Sequence, residues 1–310
     1  MIELDHVTKR YGAVQALRDV SFRIEKGETV GLLGRNGAGK TTALNLITGY
    51  FPPTEGTVTI GDRSILADPR HCRRMIGYLP ERPPLYDEMT VESYLRFVCE
   101  LREVEKKEIP AHISEIISLC GLEEVRRRVL GHLSKGFRQR AGIAQALCGS
   151  TEILILDEPT VGLDPRQTVE IRDLIRALSA DRTVIFSSHI LSEVQQLCSR
   201  VIILDEGRMV RDFDRNEPES AEIRFRLKIA GDGESVMKRL QHLDPEIHAE
   251  KLPAEEDGVT EARVVLPRGG DGGAAADRLF RTLAAAGLAV RGMREEKETL
   301  EEIFISSVRK

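Results

Sequence analysis

The sequence predicts an α/β fold built on a parallel sheet, followed by a smaller α+β domain. Three observations carry this. An apolar run, "TVGLL", ends at Leu33 and meets a glycine-rich loop, Gly34 to Lys40, that leads into an apolar-periodic helix. Strand-like and helix-like segments then alternate through the first two-thirds of the chain, the pattern of a doubly wound sheet. Beyond about residue 216 the pattern changes to strict alternation: Ile223, Phe225, Leu227 and Ile229 fall on one face of "EIRFRLKI" and charges on the other, as in a half-buried antiparallel strand.

Taken in order, two N-terminal strand candidates precede "TVGLLG", the helix behind the loop, "GTVTI" and "MIGYLP". A helical stretch follows. In "TVESYLRFVCELREV", Val91, Tyr94, Leu95, Val98 and Leu101 recur at helical spacing, which predicts one apolar face with Thr90 as the cap. "IPAHISEIISLCGL" and "LSKGFRQRAGIAQAL" continue as helices. Parallel-type strands resume at "EILILDEP", "TVIFSSH" and "RVIILDEG", separated by helices near 165–179 and 190–198. The C-terminal third reads βαββαβ, a ferredoxin-like order, closed by a helix "TLEEIFISSV" capped by Thr299. These shifts place domains at 1–216 and 217–310, with a helical subdomain at about 88–150 inside the first.

Composition narrows the function classes. The chain of 310 residues is 41% hydrophobic, enough for one or two ordinary cores. Its longest apolar runs are strand-length and bounded by charges, far short of the roughly 20 residues that span a bilayer. The N-terminus lacks a basic segment leading into an apolar one, so a cytoplasmic protein is expected. Cys72, Cys99, Cys120, Cys148 and Cys198 form no CxxC pair, which argues against a zinc site or a disulfide framework. A net charge of −5 gives no global attraction to nucleic acid.

The loop Gly34, Arg35, Asn36, Gly37, Ala38, Gly39, Lys40, followed by Thr41 and Thr42, has the spacing and the strand–loop–helix context of a phosphate loop. Glycines let backbone N–H groups point inward, and the new helix adds the positive end of its dipole. Lys40 is expected to reach the β- and γ-phosphates of a bound nucleotide, and the Thr41 hydroxyl to coordinate Mg2+. A second signal is "ILILDEP", residues 153–159. Beside a phosphate loop, Asp157 at the strand end can hold Mg2+ through its water. Glu158 can accept a proton from the water attacking the γ-phosphate, which points to hydrolysis. In an open α/β sheet Gly34, Asp157 and Ser187 all fall at the C-terminal strand ends, where ligands bind.

The segment "LSKGFRQR", residues 133–140, reads by itself as an amphipathic helix capped by Ser134. Together with its place before the acidic strand, it resembles the signature LSGGQ of the ATP-binding-cassette (ABC) ATPases. Ser134 and Gly136 match, while Lys135 stands for a glycine and Phe137 for the glutamine. Variants of this form resemble those of bacterial ABC exporters of the drug, antibiotic-resistance and gliding-motility type. The resemblance implies a P-loop NTPase cassette that binds ATP, with Ser134 and Gly136 as a second phosphate clamp supplied by another copy in a head-to-tail pair. It assigns Tyr11 to stacking on adenine, though a lone aromatic after a strand is more often ordinary packing. It assigns Asp164, in "VGLDP", to a contact with the opposite subunit, alongside its reading as the cap of a helix begun by Pro165. It also assigns His189, in "FSSHIL", to the γ-phosphate and to placing water with Glu158.

One position departs from the pattern. The family commonly has glutamine after "GYLP", and this chain has Glu81. A carboxylate only accepts hydrogen bonds and adds negative charge, so Glu81 is expected to bind magnesium more directly and to disfavour closure without it; a solvated loop acid is the other reading. Two functions of different class follow from the resemblance. Either two copies drive a separate membrane permease, docked through the helical insertion and the "ERPPLY" loop at the inner face of the membrane, or the protein is a soluble ABC ATPase acting on ribosomes or nucleic acid. Soluble members resemble fused double cassettes or cassettes split by a long coiled coil, and this chain has neither feature, so the transporter reading is preferred. A plain nucleotide switch is disfavoured by Glu158 and the second clamp.

Overall fold

The computed structural model describes residues 1–214, 222–243, 247–253, 258–267, 272–296 and 304. The chain divides into two compact units, one built on Met1–Asn216 and the other on Glu217–Ile305. Each is described by itself.

The first unit holds two sheets. Strands β1 (Ile2–Tyr11), β2 (Val14–Ile24), β4 (Glu55–Ile60) and β5 (Arg63–Ser64) form an antiparallel sheet in the order β2-β1-β4-β5. Its membership is not evident from the sequence, where "GTVTI" reads as one more strand of the alternating series. The second sheet contains β3 (Thr29–Leu33), β6 (Ile76–Leu79), β7 (Ile153–Asp157), β8 (Thr183–Ser188), β9 (Arg200–Asp205) and β10 (Arg208–Asp214), in the order β10-β9-β3-β8-β7-β6. All its pairs are parallel except β9 with the edge strand β10. Helices α1 (Lys40–Ile47), α2 (Pro69–Met75), α6 (Pro165–Leu178) and α7 (Leu191–Leu197) connect these strands. Covered on both faces, β7 is buried at every position, which is why it is apolar up to its final residue.

Register aligns the strand ends that matter. Leu33 pairs with Ser188, and Asp157 pairs with Ser187, so the loop after β3 emerges beside the last residues of β7 and β8. At the other side of the sheet β6 lies against the helix α5 (Lys135–Leu147) so closely that a Cβ on Gly77 would run into the Ala146 carbonyl oxygen.

The helical stretch forms α3 (Val91–Leu101), α4 (Ile109–Leu119) and α5, with the Thr90 hydroxyl accepting from Ser93 N at 3.2 Å as the expected cap. The buried face of α3 is corrected. It runs through Val91, Tyr94, Leu95 and Cys99, with Val98 half-buried and Leu101 66% exposed. Cys99 continues the i, i+4 ridge from Val91 and Leu95, so the terminal Leu101 turns away from the core.

In the second unit β11 (Glu222–Ala230), α8 (Gly233–Gln241), β12 (His248–Leu252), β13 (Val259–Pro267), α9 (Gly272–Ala285) and β14 (Ala289–Glu296) follow one another. The sheet order is β12-β13-β11-β14, with every pair antiparallel, the ferredoxin-like arrangement. Ile223, Phe225, Leu227 and Ile229 are buried against Val236 and Leu240 of α8 and Leu279 and Leu283 of α9. Full burial of each large side chain contributes about 1.5–3 kcal/mol, which suffices to fix the register of so regular a strand. The closing helix with Thr299 as its cap lies outside the described residues, apart from a helical Phe304.

Candidate active site

Residues 34–39 fold back on themselves after β3, with Ala38 N donating to Arg35 O at 3.1 Å. Gly39, at φ 104°, turns the chain into α1 without supplying a side-chain cap. This left-handed conformation is open to glycine and strained for other residues. The first amide groups of α1 are therefore not engaged by a capping side chain, the condition in which a helix N-terminus receives an anion. By contrast, α5 and α6 both begin with capped N-termini, Ser134 Oγ accepting from Phe137 N and Asp164 Oδ1 from Gln167 N.

A cavity of about 550 Å³ opens at this point, lined by Arg35, Asn36, Gly37, Gly39 and Lys40 to Thr42, with Tyr11, Glu81, Glu158 and His189 around it. Gly34 and Ala38 of the predicted loop do not line it. A Cβ on Gly34 would run into the Leu204 carbonyl oxygen, so this glycine serves the close approach of loop to β9. Ala16, on the antiparallel sheet, also lines the cavity.

Lys40 is 6% exposed, its ammonium donating to Gly34 O at 2.8 Å and lying 3.4 Å from Glu158 Oε1. The other oxygen of Glu158 is 2.7 Å from His189 Nδ1. Lysine, glutamate and histidine thus form one chain of polar contacts along the cavity wall. Glu158 has φ 49°, a left-handed conformation for a residue with a side chain, held by its N–H donating to Ser187 Oγ at 3.0 Å. Such strain costs about 1–3 kcal/mol and persists only where surrounding contacts impose it.

Asp157 is wholly buried. Ser187 Oγ donates to its Oδ1 at 2.5 Å, and the Thr41 hydroxyl also bonds to this carboxyl group. Oδ2 has no hydrogen-bond partner. Burial drives its pKa above the usual aspartate value, outweighing the donors, and the nearby Glu158 and Glu81 charges push the same way. A buried carboxylate oxygen without a donor, beside a threonine hydroxyl, is the donor set of a hard divalent cation such as Mg2+. Because the folded state holds this proton to higher pH than the unfolded chain, it binds more protons in the window above the ordinary aspartate range. Stability therefore falls as pH rises through that window. We expect Asp157→Asn to remove this fall, leaving the melting temperature without nucleotide at about pH 7 equal to or above that of the unsubstituted protein, while abolishing the added stabilisation by magnesium and ATP. Melting curves between about pH 4 and pH 8 check it, and an unchanged slope would assign the pH dependence to other groups.

Tyr11 is 40% exposed at the cavity edge, with its ring edge-on to Phe51 at 5.9 Å and Lys9 Nζ 5.1 Å from its centroid. It packs and also faces the cavity. Glu81 is exposed and also lines the cavity.

Ser134, Gly136 and Asp164 do not join this cavity. They line a separate one of about 460 Å³ with Phe137, Arg140 and Gln167, between the N-termini of α5 and α6. The departure at Lys135 places its ammonium against Gly162 of the following loop. Ser187, expected at a ligand-binding strand end, joins Asp157 to the Glu158 backbone. Three further residues are not legible as site residues: Thr160 and Ser188, which donate their hydroxyls to Glu193, and Glu193 itself. Their signal in the sequence is only a serine before His189 and a glutamate in the helix after it.

The chain is similar to known proteins along most of its length. The family model described as "ABC transporter" matches residues 17–161. The bacitracin transport ATP-binding protein BcrA of Bacillus licheniformis is 31% identical over 312 residues, covering 99% of this chain and 97% of the relative. The ABC transporter ATP-binding protein NatA of Bacillus subtilis is 38% identical over 216 residues, 68% of this chain and 88% of its own. Among solved structures, a dimeric bacterial ABC transporter cassette superposes with TM-score 0.64 at 29% identity, covering 69% of this chain and 98% of that one. A post-hydrolysis state of an ATP-binding cassette bound to ADP and Pi does so with TM-score 0.63 at 27% identity, covering 69% and 98%. With a relative matched along nearly its whole length, the chain belongs to the ATP-binding, ATP-hydrolysing proteins of the ABC transporter family.

Proposed function

We propose that two copies of this chain close head to tail around ATP and that this closure drives a separate membrane permease, as an exporter. The observation that carries the pairing is the separation of two half-sites in one unit. The phosphate loop lines one cavity, and Ser134, Gly136 and Asp164 line another with no residue in common. One nucleotide is enclosed by both only when a second copy brings its signature helix to the first copy's loop. The names of relatives that act in bacitracin transport and linearmycin resistance support export of an antibiotic-like cargo.

In this reading residues 34–42 cradle the phosphates, Lys40 leaves Glu158 for the β- and γ-phosphates, and Tyr11 meets the adenine. Thr41 and Asp157 would hold Mg2+, which when bound neutralises phosphate charge. Glu158 takes a proton from the attacking water, and His189 holds Glu158 and bonds the γ-phosphate. The partner's Ser134 and Gly136 close the site, with Asp164 at the subunit contact. Hydrolysis leaves two separated anions, and their repulsion reopens the pair.

The chain would then sit at the inner face of the membrane through its permease; among the described residues no helix is long and apolar enough to cross one. Co-purification tests this. An integral membrane protein recovered with the chain is the expected result, and recovery with ribosomes instead would replace the reading by action on ribosomes or nucleic acid.

Glu81 lines the phosphate-loop cavity with no ion pair among the described residues. We expect Glu81→Gln to require about 3- to 10-fold more magnesium for half-maximal ATPase activity and for half-maximal thermal stabilisation by ATP, the loss of one weak charged ligand. Unchanged magnesium curves would remove Glu81 from the metal's surroundings.

A further inference from the structure

Behind the cavity lies a carboxylate that the mechanism above does not use. Glu193, in the first turn of α7, is 4% exposed. Its Oε2 accepts two hydroxyl hydrogen bonds, from Thr160 Oγ1 at 2.8 Å and from Ser188 Oγ at 2.9 Å. The Ser188 hydroxyl in turn accepts from Ile190 N at 2.9 Å. Among the described residues no cation pairs with Glu193. Burying a carboxylate whose donors are hydroxyls alone is a costly way to stabilise packing, and an apolar side chain would fill the same space at less expense.

What the carboxylate joins explains its presence. Thr160 stands two residues after Glu158 in the turn closed by the Val161 N to Glu158 O and Leu163 N to Thr160 O bonds. Ser188 directly precedes His189 at the end of β8. A single oxygen atom of Glu193 therefore ties the turn that carries Glu158 to the strand end that carries His189. On the cavity side the same two segments meet through the 2.7 Å contact between Glu158 and His189. The Ser187 hydroxyl holds Glu158 from its N-terminal side, and Glu193 holds it from the C-terminal side.

We infer that Glu193 is a positioning residue for ATP hydrolysis, fixing the distance between Glu158 and His189 through Thr160 and Ser188. The inference rests on the assignment of Glu158 and His189 given under the proposed function. A structural role is the competing account, because α7 packs tightly on β3, where a Cβ on Gly31 would run into the Val194 side chain. The two accounts differ in which kinetic constant moves and in how the loss combines with loss of His189.

The experiment uses the full chain. Glu193→Ala is expected to lower kcat about 10- to 100-fold with KM and nucleotide affinity changed less than about 2-fold, the mark of lost alignment rather than lost binding. Glu193→Gln, whose amide oxygen can accept both hydroxyls, is expected to recover kcat to within about 3-fold of the parent. In a His189→Ala background, Glu193→Ala is expected to cost less than about 3-fold further, since half of the aligned pair is already gone. Full multiplication of the two losses, or a wild-type kcat in Glu193→Ala, would overturn the inference. So would failure of Glu193→Gln to recover kcat. If Glu193→Ala does not fold, Thr160→Val, which keeps shape and removes one hydroxyl, decides the matter: kcat down about 3- to 10-fold supports the inference and unchanged kcat refutes it. Failure of the underlying reading shows separately, as near wild-type turnover in Glu158→Gln and His189→Ala.

Discussion

Glu158→Gln is expected to stop turnover while holding two copies of the chain together around ATP. The carboxylate lies with one oxygen 3.4 Å from Lys40 Nζ and the other 2.7 Å from His189 Nδ1. Glutamine keeps this shape, with its amide oxygen left to accept from Lys40 and its NH2 to donate to His189 Nδ1, and removes the ability to take a proton. Loss of a general base costs about 10²- to 10⁴-fold in rate. The substitution also removes a negative charge that competes for Lys40 and repels the γ-phosphate. ATP is therefore expected to bind no more weakly, and up to about 10-fold more tightly, than in the parent. Single-turnover hydrolysis and light scattering with and without ATP measure both halves. A variant that hydrolyses at near the parent rate removes Glu158 as the base, and one that stays monomeric with saturating ATP, magnesium and permease removes the head-to-tail closure.

Lys40→Ala has the second large effect, and it falls on binding itself. Lys40 is 6% exposed and bonded to the Gly34 carbonyl, poised over the loop that is to receive phosphate. A hydrogen bond to a charged group contributes about 1.5–3 kcal/mol, so losing the lysine is expected to weaken nucleotide binding by at least about 10- to 100-fold. Without nucleotide, the change also leaves Glu158 without its cation, close to the buried Asp157. We therefore expect Lys40→Ala to lower the melting temperature, and Lys40→Ala with Glu158→Gln to lower it less. Fluorescent-nucleotide titration and melting curves of the three variants check this. Equal affinity in Lys40→Ala and the parent would remove the lysine from the phosphate site.

Much of this site is legible in the sequence because its parts are local. The strand, loop and helix around Gly34 to Thr42 are contiguous, and the need for glycine at the turn is a property of single residues, as Gly39 at φ 104° illustrates. Asp157 and Glu158 are legible as acids ending an apolar strand, and Ser134 and Asp164 as caps followed by helices. The caps are seen as expected, with Pro165 opening α6. The second unit is equally readable, since alternation along β11 gives its buried face directly.

Other features lie beyond local pattern. The antiparallel sheet that lends Tyr11 and Ala16 to the cavity depends on β1 pairing with β4 across the whole phosphate-loop segment. Leu101 has the spacing of a core residue and is exposed, because the ridge that packs is chosen by the helices it meets. That Gly34 packs against the Leu204 carbonyl oxygen beneath the loop is likewise outside local pattern. Glu193 is singled out by no pattern in the sequence and is buried with two hydroxyls donating to it.

The sequence by itself determined the nucleotide chemistry: a phosphate loop and an acid pair ending a buried strand, with the histidine after the next strand assigned through the family resemblance. The loop and the acid pair are set by backbone freedom and side-chain type, which act over a few residues. Only the tertiary structure decided that Lys40, Glu158 and His189 touch, that Asp157 keeps one oxygen without a donor, and that Ser134 and Asp164 line a different cavity. The meeting of Lys40, Glu158 and His189 follows from the parallel register of β3, β8 and β7, which brings three distant strand ends to one edge. Register is fixed by burial on both faces of the sheet, a property of the whole core rather than of any segment.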